Sequence, residues 1–416
     1  MSAADKTPGS VEIVFYVGTH KLSIFTGVIQ GRDPRVLAHR EVYQPEGFEN
    51  GFVVNLEAAA NTVDRLVSEM LPGRAAGDVS ASVVLANSKL QAYSFSSAQY
   101  YSAQQTVTEH EVCSVIDQTR SVATLPLSQY VLQVIPEGFL VNDMDDVRNP
   151  LGLEASRLGV NLKIFTMEYQ DYKNLSKAFE AADINVKGYW PRLLTVSEAV
   201  LTEEEKEEGV VLVDIADHIT QIAVWKNGKL CQSRNLELGG KHLTQTIARD
   251  WEIDFHDAQK VKERFATLET SSHFGEELIP LISRNGRSSF QIKRQEFQDK
   301  FLLQAEEWLK SVLETVDGLA HEEKINYPHY VFTGGGVSFS GFLEFLQQRF
   351  KREARIGLSR KMEAPQEVLV DPSLIAALGM YRWLSGHAKD YENLLAPRGL
   401  LKKTLSSAKK WFYSYF

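Results

Sequence analysis

Short apolar runs closed by polar turns alternate along this chain with stretches whose apolar residues recur every three or four positions. Val11 to Tyr16 and Leu22 to Gln30 are two such runs; with V-G-T-H-K (Val17 to Lys21) between them they predict strand, tight turn, strand. From Val53 to Met70 the apolar residues Leu56, Ala60, Val63, Leu66, Val67 and Met70 keep helical spacing and predict one amphipathic helix. Ser82 to Ala86 is strand-like again. From about Asn87 to Thr166 the texture turns polar and rich in Ser, Gln and Tyr, with a helix expected near Glu109 to Ser121 and strands near Tyr130 to Ile135 and Leu158 to Phe165. This reads as an inserted α/β subdomain.

Tyr172 to Ala182 and Leu193 to Leu201 are expected helices. The second runs into T-E-E-E-K-E-E-G (Thr202 to Gly209), read as a solvated helix end closed by glycine. Val210 to Trp225, V-V-L-V-D-I-A-D-H-I-T-Q-I-A-V-W, repeats the strand, turn, strand pattern. A third strand follows (Leu230 to Leu236), and L-G-G-K-H-L-T (Leu238 to Thr244) leads into a helix. Ala248 to Thr315 is mostly helical in pattern, with a Gly/Ser/Arg-rich turn at Arg284 to Ser289 suited to a small hairpin. Tyr330 to Thr333 is a strand running straight into Gly334, Gly335 and Gly336; helices are expected over Phe342 to Lys351 and Asp371 to Leu384, then a linker from Lys389 to Gly399.

Two hairpins about 200 residues apart and one strand–GGG–helix unit suggest two related α/β halves that grip a polyphosphate. Backbone N–H groups in such turns are anion ligands, glycine allows close approach, and a helix N-terminus adds its own donors. G-T-H-K alone reads as an ordinary hairpin turn; the three consecutive glycines of T-G-G-G-V are costly in backbone entropy and usually mark a close approach, with tight strand–helix packing as the competing reading. Their order and spacing carry more than either motif.

Composition narrows the class. At 416 residues and 44% hydrophobic, the chain can bury more than one core. Cys113 and Cys231 lie far apart with no C-x-x-C spacing, so neither a disulfide framework nor a zinc site is indicated, and a reducing compartment is expected. The polar N-terminal MSAADKTPGS reads as a disordered leader, and no stretch reaches the roughly 18 apolar residues of a spanning helix. The formal charge is −9, but Arg398, Lys402, Lys403, Lys409 and Lys410 stand in an ending without Asp or Glu; without those five the rest is −14. An acidic body disfavours nucleic acid, while a basic tail invites an anionic surface.

Gly399 to Phe416 can be laid on a helical wheel. Leu401, Leu405, Ala408, Trp411, Phe412, Tyr415 and Phe416 fall on one side, with Lys402, Lys403, Lys409 and Lys410 opposite or at its edge, the pattern of a helix lying in a membrane interface. Two Leu and two aromatics supply roughly 1.5–3 kcal/mol each on burial, and each lysine about 1 kcal/mol near anionic lipid, much of it offset by helix ordering. Docking on the protein's own body is the competing reading.

V-I-P-E-G-F (Val134 to Phe139), N-P-L-G-L-E (Asn149 to Glu154), V-N-L-K-I-F-T (Val160 to Thr166) and V-L-T-E-E-E-K-E-E-G-V-V-L-V-D-I (Val200 to Ile215) resemble the FtsA family of actin-like bacterial cell-division proteins, which tether the FtsZ polymer to the membrane. The resemblance runs from about Val11 to the C-terminus. It implies an α/β, actin-like (RNase H-type) two-lobed fold with an inserted 1C subdomain and a C-terminal amphipathic helix. The corresponding map is a leader at 1–10, subdomain 1A at 11–86 and 167–206, 1C at 87–166, 2A from 207–247, 2B at 248–324, the rest of 2A and 1A at 325–388, a linker at 389–399 and the membrane helix at 400–416.

Carried over residue by residue, the resemblance implies nucleotide contacts at Gly18, Thr19, Lys21, Asp214, Thr220, Gly240, Lys241, Lys262, Gly334, Gly335 and Gly336. The family's first loop reads D-I-G-T-S-K; here Tyr16 replaces the aspartate that helps hold Mg²⁺, and His20 replaces the serine. The second loop, D-I-G-G-G-T-x-D, has become Asp214, Ile215, Ala216, Asp217, His218, Ile219, Thr220, Gln221, without its glycines or its final aspartate. Side chains there push backbone away from a phosphate, and at about 4 Å and an effective dielectric near 20 the Asp217 carboxylate opposes an anionic oxygen by on the order of 4 kcal/mol before screening. His20 and His218 are read as turn residues and not as a metal pair; no metal site is assigned.

The expectation is an adaptor with ATP or ADP and Mg²⁺ if it binds nucleotide at all, and slow or absent hydrolysis. Implied partners are the FtsZ C-terminal peptide (on 2B), the chain itself in filaments, anionic lipids, and later division proteins through 1C; the implied location is the cytoplasmic side of the inner membrane at the division site. The alternatives are an active actin/Hsp70-type ATPase, for which Asp214 and Glu198 are the available acids, and a PilM-like pilus-assembly scaffold.

Overall fold

Val11–Val17 (β1) and Lys21–Gln30 (β2) are strands because nearly every side chain from Ile13 to Gly27 finds burial in an extended chain, and they pair antiparallel from Val17↔Leu22 to Val11↔Val28. The computed structural model to which they belong describes residues 11–387 apart from 31–32, 74–78, 271–272, 285, 287, 327 and 360–361. The expected leader, linker and membrane helix therefore lie outside the described residues. The chain divides into two units, the first holding residues 11–199, 362–366 and 376–387, the second 200–359 and 367–375.

In the first unit, Asp33–Tyr43 (β3), Phe48–Glu49 (β4) and Phe52–Val53 (β5) precede Leu56–Met70 (α1), which Asn55 caps by accepting from the Ala58 amide at 3.1 Å. Val79–Leu85 (β6) joins β1 in parallel. The insert then runs through Gln91–Thr106 (β7), Glu109–Val122 (α2), Gln129–Val141 (β8), Met144–Val147 (β9) and Glu154–Glu168 (β10). Its sheet has the order β7-β10-β8-β9. Tyr169–Ala181 (α3), Ile184–Pro191 (β11) and Arg192–Val200 (α4) return to the main sheet, ordered β11-β6-β1-β2-β3. The Gln133 amide, buried in the insert, donates to the Tyr189 carbonyl at 2.9 Å and ties the two sheets together.

The second unit opens on Glu203–Glu208 (α5), then Val210–Ile215 (β12), Thr220–Lys226 (β13), Lys229–Leu236 (β14), Gly240–Asp250 (α6) and Phe255–Phe265 (α7). Leu278–Ile282 (β15) and Ser289–Lys293 (β16) form the small hairpin expected around Arg284 to Ser289. Arg294–Glu322 (α8) buries Phe297, Phe301, Trp308, Leu309, Val312 and Val316, each worth roughly 1.5–3 kcal/mol of transfer free energy. His329–Thr333 (β17), a 3₁₀ turn at Gly335–Val337, Phe342–Phe350 (α9), Ala354–Ile356 (β18) and Gln366–Val370 (α10) follow, and Ile375–His387 (α11), which belongs to the first unit from Ala376 on, completes the described chain.

The second unit's main sheet, β14-β13-β12-β17-β18, repeats the first: three antiparallel strands in meander order, then two strands added in parallel. This is the pair of related halves expected from the two hairpins. No helix among the described residues is long and apolar enough to cross a membrane.

Two readings need correction. The acidic run is not simply a solvated helix end: Glu205 closes a capping box with Thr202 and is gripped by both Nε and Nη2 of Arg355 at 2.7 Å. Lys206 within it is buried, 5.1 Å from the Trp225 ring and 3.0 Å from Glu203. The last helix begins at Ile375 and not at Asp371, whose carboxylate instead accepts from the Ser373 amide in a turn.

Candidate functional site

In the second unit, one end of the sheet gathers the second loop, the G-G-K turn and the triple glycine. Asp214 is fully buried near the end of β12, its Cα paired with Gln221 on one side and Thr333 on the other. The chain then turns through Ala216, Asp217, His218 and Ile219 with no residue at positive φ, so this turn needs no glycine for its own conformation. The Ala216 amide donates to the Ile219 carbonyl at 2.9 Å, and the Asp217 carboxylate lies 3.3 Å from His218 Nε2.

The carbonyls of that turn cap a helix. The Gly240 amide donates to the Ala216 carbonyl at 3.0 Å and the Lys241 amide to the Asp217 carbonyl at 2.7 Å, so these two N-terminal donors of α6 are satisfied from within the protein. Gly239 makes this seam possible: a Cβ there would lie 2.4 Å from the Asp217 carbonyl oxygen. The Lys262 ammonium reaches the Gly240 carbonyl at 3.0 Å and Thr244 Oγ1 at 2.7 Å, fastening α7 to α6. Burial lowers its pKa below the usual lysine value against the opposing pull of Asp217 and Glu263. The Lys241 ammonium lies 5.9 Å from the Phe255 ring, Thr220 Oγ1 donates to the Leu238 carbonyl at 2.6 Å, and the Gln221 amide donates to Asn235 at 3.0 Å.

Gly334 follows β17 at φ +87°, and a Cβ there would meet the Ile215 carbonyl oxygen at 2.4 Å and Asp214 Oδ1 at 2.5 Å. Gly335 and Gly336 lie in the 3₁₀ turn, whose Val337 amide donates to the Gly334 carbonyl at 3.2 Å. Gly334 and Gly336 are thus packed on β12, a Cβ at Gly336 falling 2.2 Å from Ile215 Cγ2, while one at Gly335 would meet only Ser373 at 3.9 Å.

In the first unit, the turn between β1 and β2 is closed by the Gly18 amide donating to the Lys21 carbonyl at 2.9 Å, with Thr19 and His20 half-buried at its tip. The Lys21 ammonium is ion-paired with Glu41 on β3 at 2.9 Å, and Glu41 also accepts from the Tyr43 hydroxyl at 2.8 Å. Burial pushes the Glu41 carboxyl up, but the charge and hydrogen bond of Lys21, aided by Tyr43, outweigh it and hold the group below its ordinary value. Tyr16, buried at 4% exposure, lies with its ring against Gly18, where a Cβ would come within 2.8 Å. Its hydroxyl accepts from Arg192 Nη1 at 2.5 Å, and the guanidinium carbon is 5.1 Å from its ring centroid.

Arg192 and Glu41 are absent from the sequence-derived set. An arginine inside the apolar run Tyr189 to Leu194 was the available signal, since a buried guanidinium requires partners. Glu41 carried no comparable signal. Among the described residues no group of three or more His, Cys, Asp or Glu is placed to hold a metal ion.

The family model described as "Cell division protein FtsA" matches residues 211–379, and "SHS2 domain inserted in FTSA" matches residues 91–166, the span from β7 to β10. Cell division protein FtsA of Pseudomonas aeruginosa is 23% identical over 372 residues, covering 89% of this chain and 88% of its own. That of Escherichia coli K12 is 27% identical over 318 residues, covering 73% and 75%. Among solved structures, a PilM-PilN type IV pilus biogenesis complex aligns with a TM-score of 0.60 at 16% identity, covering 90% of this chain and 98% of that one. MreB 5 of Spiroplasma citri bound to AMPPNP aligns at 0.53 and 15%, covering 94% and 99%. At such identities the structures speak to the fold alone, which is actin-like. The two family-specific regions together exceed half of the chain, the relatives align over three-quarters or more of their length, and the chain belongs to the FtsA family of cell division proteins.

Proposed function

We propose that this chain is an FtsA-type adaptor that tethers FtsZ filaments to the inner face of the cytoplasmic membrane, assembles into filaments, and hydrolyses nucleotide slowly or not at all. The observation that carries the last part is the Tyr16–Arg192 pair. Where the family's first loop offers a carboxylate for Mg²⁺, this chain has a buried phenol held by a buried guanidinium at 2.5 Å. A neutral phenol supplies neither the charge nor the oxygens a hard cation prefers. Lys21, the phosphate-pairing lysine implied by the family, is engaged with Glu41, and two amides of α6 are engaged with the Ala216 and Asp217 carbonyls. These side chains do not fit a Mg²⁺-triphosphate held in the family's manner.

Purified protein, denatured to release whatever nucleotide it carries, is expected to yield well under one ATP per chain. With added Mg²⁺ and ATP it is expected to release no phosphate above a protein-free blank. Stoichiometric ATP with sustained turnover would overturn this reading and favour the active ATPase.

The tethering half rests on family membership and on the amphipathic pattern of Leu401, Lys402, Lys403, Leu405, Lys409, Lys410, Trp411, Phe412, Tyr415 and Phe416, which lie outside the described residues. Deleting Leu400 to Phe416 is expected to abolish cosedimentation with phosphatidylglycerol-containing liposomes and to leave the neutral-liposome background unchanged. Undiminished pelleting of the truncated protein would refute the anchor. The FtsZ C-terminal peptide is assigned to the 2B region, residues 248–324, and later division proteins to the insert.

A further inference from the structure

The two edges of the insert sheet are built differently. β9, at one edge, is four residues long, carries Asp145 and Asp146 and holds Asp146 at φ 62°, devices that blunt an edge. β7, at the other, is 16 residues long and reads Q-A-Y-S-F-S-S-A-Q-Y-Y-S-A-Q-Q-T, with no charge, proline or glycine. It pairs with β10 in continuous register from Gln91 to Tyr100 and only then breaks step, rejoining at Gln105. Among the described residues no backbone hydrogen bond joins its outer side to another element, and one carbonyl, that of Ala98, accepts from the Gln118 side chain at 3.4 Å. Such a strand is a template for another strand.

We propose that the outer edge of β7 pairs antiparallel with β7 of a second copy of this chain. The proposal rests on the self-assembly reading above and names a surface for it. Charge selects the copy: two neutral strands meet without like-charge opposition, and nothing in the strand recruits a charged partner. Side-chain size agrees. With the twofold axis at Ser96, Phe95 faces Ser97, Tyr93 faces Gln99 and Tyr100 faces Ala92, so no aromatic opposes another. An isologous contact of this kind closes on itself and joins two chains, or two filaments, side by side.

The test uses full-length protein in sedimentation velocity and electron microscopy. Ser96→Lys, at an exposed position that meets its own copy on the axis, sets two lysines against one another and is expected to weaken side-by-side association at least tenfold at unchanged melting temperature. Met144→Lys on the β9 edge is expected to change nothing. In a Cys113→Ser/Cys231→Ser background, Ser96→Cys is expected to yield a covalent dimer with a short bis-maleimide. If the Ser96→Lys variant associates like wild type, or the Ser96→Cys protein stays uncross-linked, the pairing is wrong. Single filaments from the lysine variant with paired ones from wild type support it. Paired dimers without any filament would sustain the edge contact while sinking the filament reading.

Discussion

Gly379→Ala is expected to destabilise the first unit by about 3 kcal/mol or more, at or beyond the upper end of ordinary overpacking penalties. A Cβ at this position of α11 would fall 1.7 Å from the Thr195 carbonyl oxygen and 2.4 Å from its carbonyl carbon. The opposing atoms are backbone of α4, so no side chain can rotate away and the two helices must separate. The neighbours Ile375, Ala377, Leu378, Met380 and Tyr381 are all at or below 1% exposure, which leaves no slack. Moving α4 also moves Arg192, its first residue, off the Tyr16 hydroxyl. Gly386→Ala is the internal control: it lies near the end of the same helix with nothing among the described residues within 4 Å of its Cβ, and is expected to change stability by no more than about 0.5–1 kcal/mol. Urea titration followed by circular dichroism reads both, and a wild-type midpoint for Gly379→Ala would show that the helices are not packed as described.

The second large effect is expected at Gly334→Ala, again about 3 kcal/mol or more. Two costs combine there. At φ +87° and ψ 172° the backbone occupies a region nearly exclusive to glycine, worth on the order of 1–3 kcal/mol to any other residue. The added methyl would also press on the Ile215 carbonyl and the Asp214 carboxylate at 2.4 and 2.5 Å. The loss is expected in nucleotide-free protein, because both costs belong to the fold. A glycine kept only for close approach to phosphate would leave that stability unchanged, so melting the nucleotide-free variant distinguishes the two roles.

The hairpins β1–β2 and β12–β13 were legible because buried strands write themselves as apolar runs, and α1 because its six apolar positions keep helical spacing. β7 was not. Its sequence is mostly Ser, Gln, Ala and Tyr, as suits a half-exposed edge, and periodicity in apolar residues says little where few are buried. β3 was missed for a related reason: Leu37 and Tyr43 face solvent while polar residues separate them, which blurs the alternation. The site divides along the same line. Its glycines and Asp214 stand in contiguous motifs, and the motifs were readable. The bonds that engage Tyr16 and Lys21 join Tyr16 to Arg192 across 176 positions and Lys21 to Glu41 across 20, and a single sequence carries no mark of such pairings.

The seam between the second loop and α6 restricts how that end of the sheet can rearrange. Ala216 and Asp217 each give a carbonyl to an amide of the helix's first turn, and Lys262 donates to the Gly240 carbonyl of the same turn. Pulling either residue out of place strands a donor and an acceptor together, so the loop and the helix start behave as one stiff lever. A rearrangement of the loop therefore either carries the first turn of α6 with it or breaks both bonds at once.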